Sequence, residues 1–528
     1  MITVLLLIAA IGILVWGFLQ AKPLGKPGIL AWLQTVVLMG PWLLFFGFSA
    51  AGIYLNLAGI LLLVVASAGA YIYLGKSLRE AGQAELAEEK ATAFVSKGIG
   101  SEAVSNPESE AVTAPAIETS GIETSAIETS DAEGAEQRKD DSSEEKPEEK
   151  LEKEAESLPP IPAEDMAIIE GIFGIDTFFR TQTVPYQEGA IFKGNLRGKP
   201  DETAQALSHK LTEKLGDRYR SFLLADPENK PVVVVLPSSN GPLPTSTQQK
   251  ILAVFLVVAT LATCLETSSV LQSFDVFQSP QRLPEALPIA LGLAAVLATH
   301  ELGHGVMARR LNVKLSWPFF LPALQLGSFG GITRFESVLP NRSVLFDVSF
   351  AGPAAGGILS FVFLFLGLVL SHSGSLFQLP ATFFKGSILV GTLARVVLGK
   401  DVLQADLVDV HPLMVMGWMG LIITAINVMP AGQLDGGRVV QAIYGRKTLV
   451  KATTVTIVLL AVVGLFNPLA LYWAVLIVFL QRQPERPCTD DLTEPDDTRA
   501  ALALLSLFLM LLVLLPLTPS FAGRLGIG

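Results

Sequence analysis

Cysteine, histidine and charge are all scarce in this 528-residue chain. The two cysteines, Cys264 and Cys488, lie far apart, which excludes a disulfide framework and a cysteine-based zinc site. Charged residues make up only 16% of the chain, whereas soluble proteins typically contain roughly 25%. The sequence shows no basic patch of the kind that nucleic-acid binding requires, so we expect no nucleic-acid partner. With 50% hydrophobic residues, the chain is instead expected to be a membrane protein.

Acidic residues are concentrated in one segment. Between Glu80 and Asp165 there are seven basic and 24 acidic residues, so this stretch has a net charge of −17. The whole chain has a net charge of −11, so the remaining residues together carry +6. The segment contains the repeat AIETSGIETSAIETS and very few aromatic residues. A segment of this composition buries too little apolar surface to fold alone. We therefore predict a disordered acidic linker over residues 77–164.

Apolar runs on both sides of this linker predict ten membrane spans. The first run lacks a basic start and a small-residue cleavage site, so it is interpreted as a retained helix and not as a signal peptide. The predicted spans are 2–19, 29–49, 51–75, 248–265, 286–310, 344–371, 412–430, 451–465, 467–482 and 499–517. They group into N-terminal membrane helices (1–76) and a second membrane domain (247–528). The amphipathic segment 384–399 is expected to be interfacial or re-entrant.

The stretch 165–246 has the composition of a soluble domain. TAQALSHKLTEKLGDRY indicates a helix and KPVVVVLP a buried strand, so we predict a small α+β domain. Basic residues flank several spans, and alternating spans leave them all on one side of the membrane. By the positive-inside rule that side is cytoplasmic, together with the linker and the α+β domain. The basic residues are Lys22, Lys26, Lys76, Arg79, Arg309, Arg310, Lys314, Arg438, Arg446, Lys447, Lys451, Arg482 and Arg486.

The run LATHELGHGVMARR places His300, Glu301 and His304 inside a predicted span. Residues four apart lie on one face of a helix, so the two histidines can bind one metal ion while Glu301 acts as a general base on a water. Three buried polar residues satisfied by their neighbours are the alternative. That alternative is disfavoured within a membrane, where each ionisable group costs on the order of 2.5–3.5 kcal/mol.

A hydrolytic zinc site needs a third protein ligand, and INVMPAGQLDGGR offers the best candidate, Asp435. Pro430 and Gly436–Gly437 are expected to break the helix, leaving Asp435 on an unwound segment at the same membrane face as His300 and His304. An ordinary D-G-G turn is the alternative for Asp435. His372 and His411 fall on the opposite side of the membrane, and His209 falls in the soluble domain.

HELGH (300–304) followed by NVMPAGQLDGG (427–437) resembles the paired motifs of the site-2 protease family of intramembrane zinc metalloproteases, peptidase family M50. The resemblance covers roughly 245–485. It implies that His300, His304 and Asp435 bind Zn²⁺, that Glu301 is the catalytic base, and that Asn427 helps to hold the substrate or the transition state.

Three further segments resemble family features. LGSFGGITRF (326–335) is similar to a loop that lines the substrate path, and FAGPAAGG (350–357) to a Gly-Pro motif. GNLRG (194–198) resembles a signature of the chloroplast and cyanobacterial branch, the ethylene-dependent gravitropism-deficient and yellow-green proteins. The lack of a transit peptide favours a cyanobacterial member.

The sequence therefore predicts a polytopic α-helical membrane protein with a metalloprotease core, a small cytoplasmic α+β domain and a disordered acidic linker. We expect it to cleave transmembrane substrate helices near the cytoplasmic side of a bacterial plasma membrane or a cyanobacterial thylakoid membrane. Two other classes stay open: a membrane protein that handles or transports metal, and a proteolytically silent scaffold. A transporter would need no general base at Glu301.

Overall fold

The structure is a computed structural model that describes residues 12, 14–19, 21–50, 67, 70, 73–75, 77, 161–186, 188–399, 403–465, 467–481 and 483–517. The chain divides into two units, 1–145 and 146–528. In the first unit, helix α1 (Gly25–Ala50) contains the predicted span 29–49. The predicted spans 2–19 and 51–75 lie largely outside the described residues, as does almost all of the predicted linker.

An α+β fold occupies residues 161–246, which we call the α+β domain. Its four strands form one antiparallel sheet in the order β1-β2-β4-β3, with β3 at an edge. Helix α3 packs Leu207, Leu211 and Leu215, spaced four residues apart, against the sheet. The elements are α2 (Ala163–Glu170), β1 (Phe178–Tyr186), β2 (Gly189–Leu196), α3 (Pro200–Leu215), β3 (Tyr219–Ala225) and β4 (Pro231–Pro237).

The GNLRG motif lies at the end of β2, where the backbone packs closely against its neighbours. A Cβ on Gly194 would lie 2.3 Å from the carbonyl oxygen of Phe179 on β1. A Cβ on Gly198 would lie 2.8 Å from the hydroxyl of Thr203 on α3. The two glycines therefore have a packing role, since any side chain there would push the strand or the helix away.

Five helices in the described parts of the second unit are long and apolar enough to cross a membrane: Thr247–Leu271, Pro280–Arg310, Arg342–Val369, Asp435–Gly464 and Asp497–Leu514. The predicted span 412–430 forms a helix of only 16 residues, which reaches about 24 Å against a hydrocarbon core of about 30 Å. The predicted span 467–482 forms a nine-residue helix followed by a π-helical turn, Ile477–Gln481. The segment 384–399 forms one short helix.

The elements of the second unit after the α+β domain are α4 (Thr247–Leu271), α5 (Leu283–Arg310), β5 (Phe319–Ala323), β6 (Gly327–Ile332), α6 (Arg342–Val369), β7 (Phe377–Pro380), α7 (Ile388–Leu398), β8 (Leu407–Val410), α8 (Pro412–Asn427), α9 (Asp435–Gly464), α10 (Pro468–Leu476) and α11 (Asp497–Leu514). Helix α6 packs against both α5 and α8, and α8 also contacts α5. Glycines allow this close approach: a Cβ on Gly367 or on Gly417 would lie within 2.1 Å of the opposite backbone.

One expectation about the site is wrong in detail. Asp435 and the pair Gly436–Gly437 are not unwound, because they form the first turn of α9. The break lies earlier, over residues 428–434, where Pro430 supplies no backbone N–H. Gly436 and Gly437 instead let the new helix turn back against this break, since a Cβ on Gly436 would lie 1.8 Å from the carbonyl oxygen of Val428.

Candidate metal centre

His300 and His304 lie one helical turn apart on α5 and point into the protein. Both are only 5% exposed, although α5 is a candidate membrane span. The two side chains point the same way because residues at positions i and i+4 share one face of a helix. That face packs on α6, where Gly352 and Gly356 lie against the two imidazoles.

The structure brings Asp435 to these two histidines. Its Oδ2 lies 3.0 Å from His300 Nε2 and 3.4 Å from His304 Nε2, and the two Nε2 atoms are 3.2 Å apart. Asp435 is 7% exposed. In the described part of the chain, His300, His304 and Asp435 form a group of potential metal ligands, and their donor atoms all lie within 4.8 Å of one another.

These distances fit a zinc ion. Zinc bonds of about 2.0–2.1 Å to nitrogen and oxygen give tetrahedral ligand–ligand distances of about 3.3 Å, close to the three observed. His304 Nδ1 is 2.8 Å from the carbonyl oxygen of Val348, a contact in which the ring N–H donates. In a neutral imidazole this hydrogen bond places the proton on Nδ1 and leaves the Nε2 lone pair for a metal ion, as the supporting contacts of metal-binding histidines do.

Two glycines of the Gly-Pro motif on α6 make room for the imidazoles. A Cβ on Gly352 would lie 2.2 Å from His304 Nε2, and one on Gly356 would lie 3.0 Å from His300 Cβ. Gly352 therefore keeps the space in which the metal-binding nitrogen of His304 lies. The sequence resemblance located the motif but did not assign this role.

We expect Gly352→Ala to lower the zinc content of the purified protein and its peptidase activity together. Alanine is more favourable than glycine inside a helix by roughly 1 kcal/mol. If the substitution changed only helix propensity, it would therefore stabilise the protein. Gly357→Ala on the same helix is the matched control, because its Cβ makes an ordinary 3.4 Å contact with Thr424. Zinc analysis by mass spectrometry checks this, and equal zinc in both variants would contradict it.

Glu301 lies beside the three converging residues, and the β5–β6 hairpin holds its side chain. The hydroxyl of Thr333, just after β6, donates to Glu301 Oε2 at 2.8 Å. A Cβ on Gly331 would lie 2.6 Å from Glu301 Oε1, so β6 passes directly against the carboxylate. The hydroxyl of Thr333 was not identified from the sequence, because it lies 32 residues from Glu301 with no motif linking the two.

The structure places Asn427 against the same hairpin. Its side-chain amide donates to the carbonyl oxygens of Phe329 (2.9 Å) and Ile423 (2.8 Å). Gly330 adopts a φ of +104° there, and a Cβ would lie 2.4 Å from the Asn427 amide nitrogen. In this structure Asn427 thus connects α8 to β6. A narrow cleft borders the site and is lined by Val296, Leu297, His300, Glu301, Gly330, Gly331, Ile423 and Thr424.

The other three histidines lie elsewhere. His209 and His372 are exposed, and His411 accepts a hydrogen bond from the backbone N–H of Leu413 at the start of α8. None of them belongs to the converging group. The converging group therefore contains His300 and His304 alone among the five histidines.

Comparison with known proteins agrees with this geometry. The family model described as "Peptidase family M50" matches residues 288–467, and the one described as "EGY3 middle domain" matches residues 167–242. The second match falls within the α+β domain. No solved structure matches the chain.

Three curated relatives illustrate the similarity, all from Arabidopsis thaliana. "Probable zinc metalloprotease EGY2, chloroplastic" is 40% identical over 371 residues, which cover 69% of this chain and 67% of that protein. "Probable zinc metalloprotease EGY1, chloroplastic" is 37% identical, with 70% and 74% covered. "Probable zinc metallopeptidase EGY3, chloroplastic" is 29% identical, with 70% and 68% covered. With the M50 match and the converging histidine and aspartate side chains, these relatives show that this chain is a zinc metalloprotease of the site-2 protease family, peptidase family M50, in the branch that contains the EGY proteins.

Proposed function

We propose that this protein hydrolyses peptide bonds of transmembrane substrate helices, with Zn²⁺ bound by His300, His304 and Asp435 and with Glu301 as the base. One observation carries the proposal: donor atoms from two candidate membrane spans converge, buried, next to a carboxylate that is itself oriented by a hydrogen bond. Family membership favours this over a metal transporter, and the intact donor set favours it over a silent scaffold.

The bound zinc ion would supply a Lewis acid that polarises the scissile carbonyl and makes a neighbouring water more acidic. Glu301 accepts a proton from that water and passes it to the leaving amine. The Thr333 hydroxyl leaves Oε1 as the oxygen for this transfer, because it donates to Oε2. His304 is held in the tautomer that leaves Nε2 unprotonated by the Val348 carbonyl.

The hairpin provides a place for an unwound substrate. A helical substrate shields its peptide bonds with intrahelical hydrogen bonds, so it must be extended before cleavage. Strand β6 pairs with β5 alone among the described strands, and its glycines allow close approach of another backbone. We propose that the substrate segment adds to β6, next to Glu301, and that Asn427 keeps β6 in position.

We further propose that the site faces the cytoplasm, in a bacterial plasma membrane or a thylakoid membrane, and that its partners are transmembrane proteins and the lipid bilayer. The proposal of sidedness rests on the basic residues that follow the spans, such as Arg309 and Arg310 at the end of α5.

Comparing membrane fractions from wild-type and Glu301→Gln cells tests the substrate class. We expect transmembrane proteins to accumulate uncleaved in the variant, and shortened fragments with new ends inside a span to appear only in the wild type. Peptide mass spectrometry identifies both. Fragments cut only in soluble loops, well outside any span, would contradict intramembrane cleavage.

A further inference from the structure

The hydrogen bonds around Glu301 continue beyond Thr333. The carbonyl oxygen of Thr333 accepts a hydrogen bond of 2.8 Å from Arg438 Nη2. Arg438 lies on α9, one helical turn after Asp435, and its guanidinium lies over the ring of Phe335 at 4.8 Å. One arginine therefore holds the residue that orients the base.

Arg438 is itself fixed by a buried ion pair with Glu485. Arg438 Nε and Nη2 lie 3.0 and 2.9 Å from Glu485 Oε2, and the two residues are 4% and 7% exposed. Gln441 holds the backbone of Glu485 from both sides, accepting from its N–H at 2.9 Å and donating to its carbonyl at 3.1 Å. A buried arginine depends strongly on such a partner, because an uncompensated buried charge is costly.

Glu485 opens the segment 485–491, which connects the membrane domain to the α+β domain. Backbone N–H groups of Thr489 and Asp490 donate to the carbonyls of Leu339 (2.8 Å) and Pro340 (2.9 Å). On its other side the segment pairs with edge strand β3: Leu223 N–H donates to the Thr489 carbonyl (2.8 Å), and Asp491 N–H to the Leu223 carbonyl (3.0 Å). The segment thus extends the sheet of the α+β domain.

Side chains reinforce this junction at its rim. Lys447 on α9 donates to the carbonyl of Pro227 (2.6 Å) and to Asn229 Oδ1 (2.8 Å) in the β3–β4 turn, and Arg486 donates to the carbonyl of Asn240 (2.8 Å). Between these contacts lies a cavity of about 320 Å³, whose walls include Phe222, Leu236, Phe335 and Glu485. The α+β domain and the membrane domain have separate apolar cores, and Leu492, directly after the segment, packs against the core of the α+β domain. Hydrogen bonds and this one apolar contact therefore join the two domains.

We propose that the α+β domain positions the catalytic base: docked through residues 489–491, it holds Glu485 against Arg438, which fixes Thr333 and, through it, Glu301. The proposal rests on the assignment of Glu301 as the base. Arg438, Glu485 and Thr333 are positioning residues, since none belongs to the metal-binding group. Undocking of the α+β domain lowers turnover without releasing zinc, so a ligand or partner that moves this domain regulates the protease.

The variant Asp491→Pro tests the docking, because proline lacks the N–H that bonds to Leu223. Asp491→Ala is the matched control: it loses the same side chain and keeps the N–H. Hydrogen–deuterium exchange at the Leu223 amide reports detachment, since in the docked domain this N–H donates to the carbonyl of Thr489. Mass spectrometry of peptides from strand β3 measures this exchange.

We expect Asp491→Pro to speed exchange at the Leu223 amide and to lower kcat on the order of 10- to 100-fold, with KM and zinc content unchanged. The substrate is a labelled transmembrane-helix peptide that the wild-type protein cleaves. Asp491→Ala should stay within about twofold of wild type in kcat, because it keeps the N–H that donates to the Leu223 carbonyl. Faster exchange at the Leu223 amide with an unchanged kcat would overturn the proposal.

Glu485→Gln provides an independent test that leaves the domain docked. We expect lower kcat at unchanged KM and zinc, while Glu494→Gln, an exposed glutamate further along the chain, stays near wild type. Thr333→Val should behave like Glu485→Gln, and Thr333→Ser should restore activity because the hydroxyl remains. Normal kcat in Glu485→Gln, or loss of its zinc, would also overturn the proposal. An active Glu301→Gln protein would instead overturn the proposed function itself.

Discussion

Replacing Glu301 by glutamine is expected to lower peptide hydrolysis by roughly 10²–10⁴-fold, the usual contribution of general acid–base catalysis. Glutamine has the size of glutamate and keeps an oxygen to accept the Thr333 hydroxyl, but it cannot take up a proton. The zinc content should not change, because Glu301 is outside the group formed by His300, His304 and Asp435. The measurement is cleavage of a transmembrane peptide in detergent, together with metal analysis.

The same substitution at Glu285 is the control. Glu285 lies in the first turn of α5, the helix that carries Glu301, and pairs at the surface with Arg282 at 2.8 Å. Exposed ion pairs of this kind contribute little to stability, so Glu285→Gln should retain wild-type activity. A fully active Glu301→Gln protein would contradict the assignment of the base.

Asp435→Ala is expected to remove zinc and activity together. The two histidines that remain give a site short of one ligand, whereas catalytic zinc sites keep three protein ligands. Loss of activity should follow loss of metal, so excess zinc should restore part of the activity. Zinc content by mass spectrometry and rates at increasing zinc concentrations measure both effects.

Asp497→Ala is the matched control for Asp435→Ala. Both aspartates lie in the first turn of a candidate membrane span, so both substitutions lose a similar helix-dipole interaction of about 0.3–1 kcal/mol. Only Asp435 approaches the histidines. Full zinc occupancy in Asp435→Ala would exclude this residue as a ligand.

The sequence predicted the parts of the site that depend on local spacing. His300 and His304 converge because helix geometry alone sets the distance between positions i and i+4. Asp435, 135 residues from His300, was predicted because the count of spans placed both motifs at one membrane face. The sequence did not show where α9 begins, since glycine pairs usually break helices, whereas Gly436–Gly437 permits a tight return of the chain.

Other parts of the site depend on tertiary packing and have no local signal. Thr333 reaches Glu301 only because the β5–β6 hairpin folds back onto α5. The space at Gly352 depends on how closely α6 approaches His304. Glu485 meets Arg438 across 47 residues that include most of α9 and all of α10. Contacts of this kind depend on how the helices and strands pack against one another. No periodic pattern in the sequence reveals that packing.

X-ray absorption at the zinc edge of the purified full-length protein tests the central claim most directly. The site described here predicts nitrogen and oxygen neighbours at about 2.0–2.2 Å, with the scattering pattern of two imidazoles. It predicts no sulfur neighbour, because Cys264 and Cys488 lie outside the group of His300, His304 and Asp435. A sulfur neighbour at about 2.3 Å, or a spectrum that requires one or three imidazoles, would contradict zinc binding by these three residues.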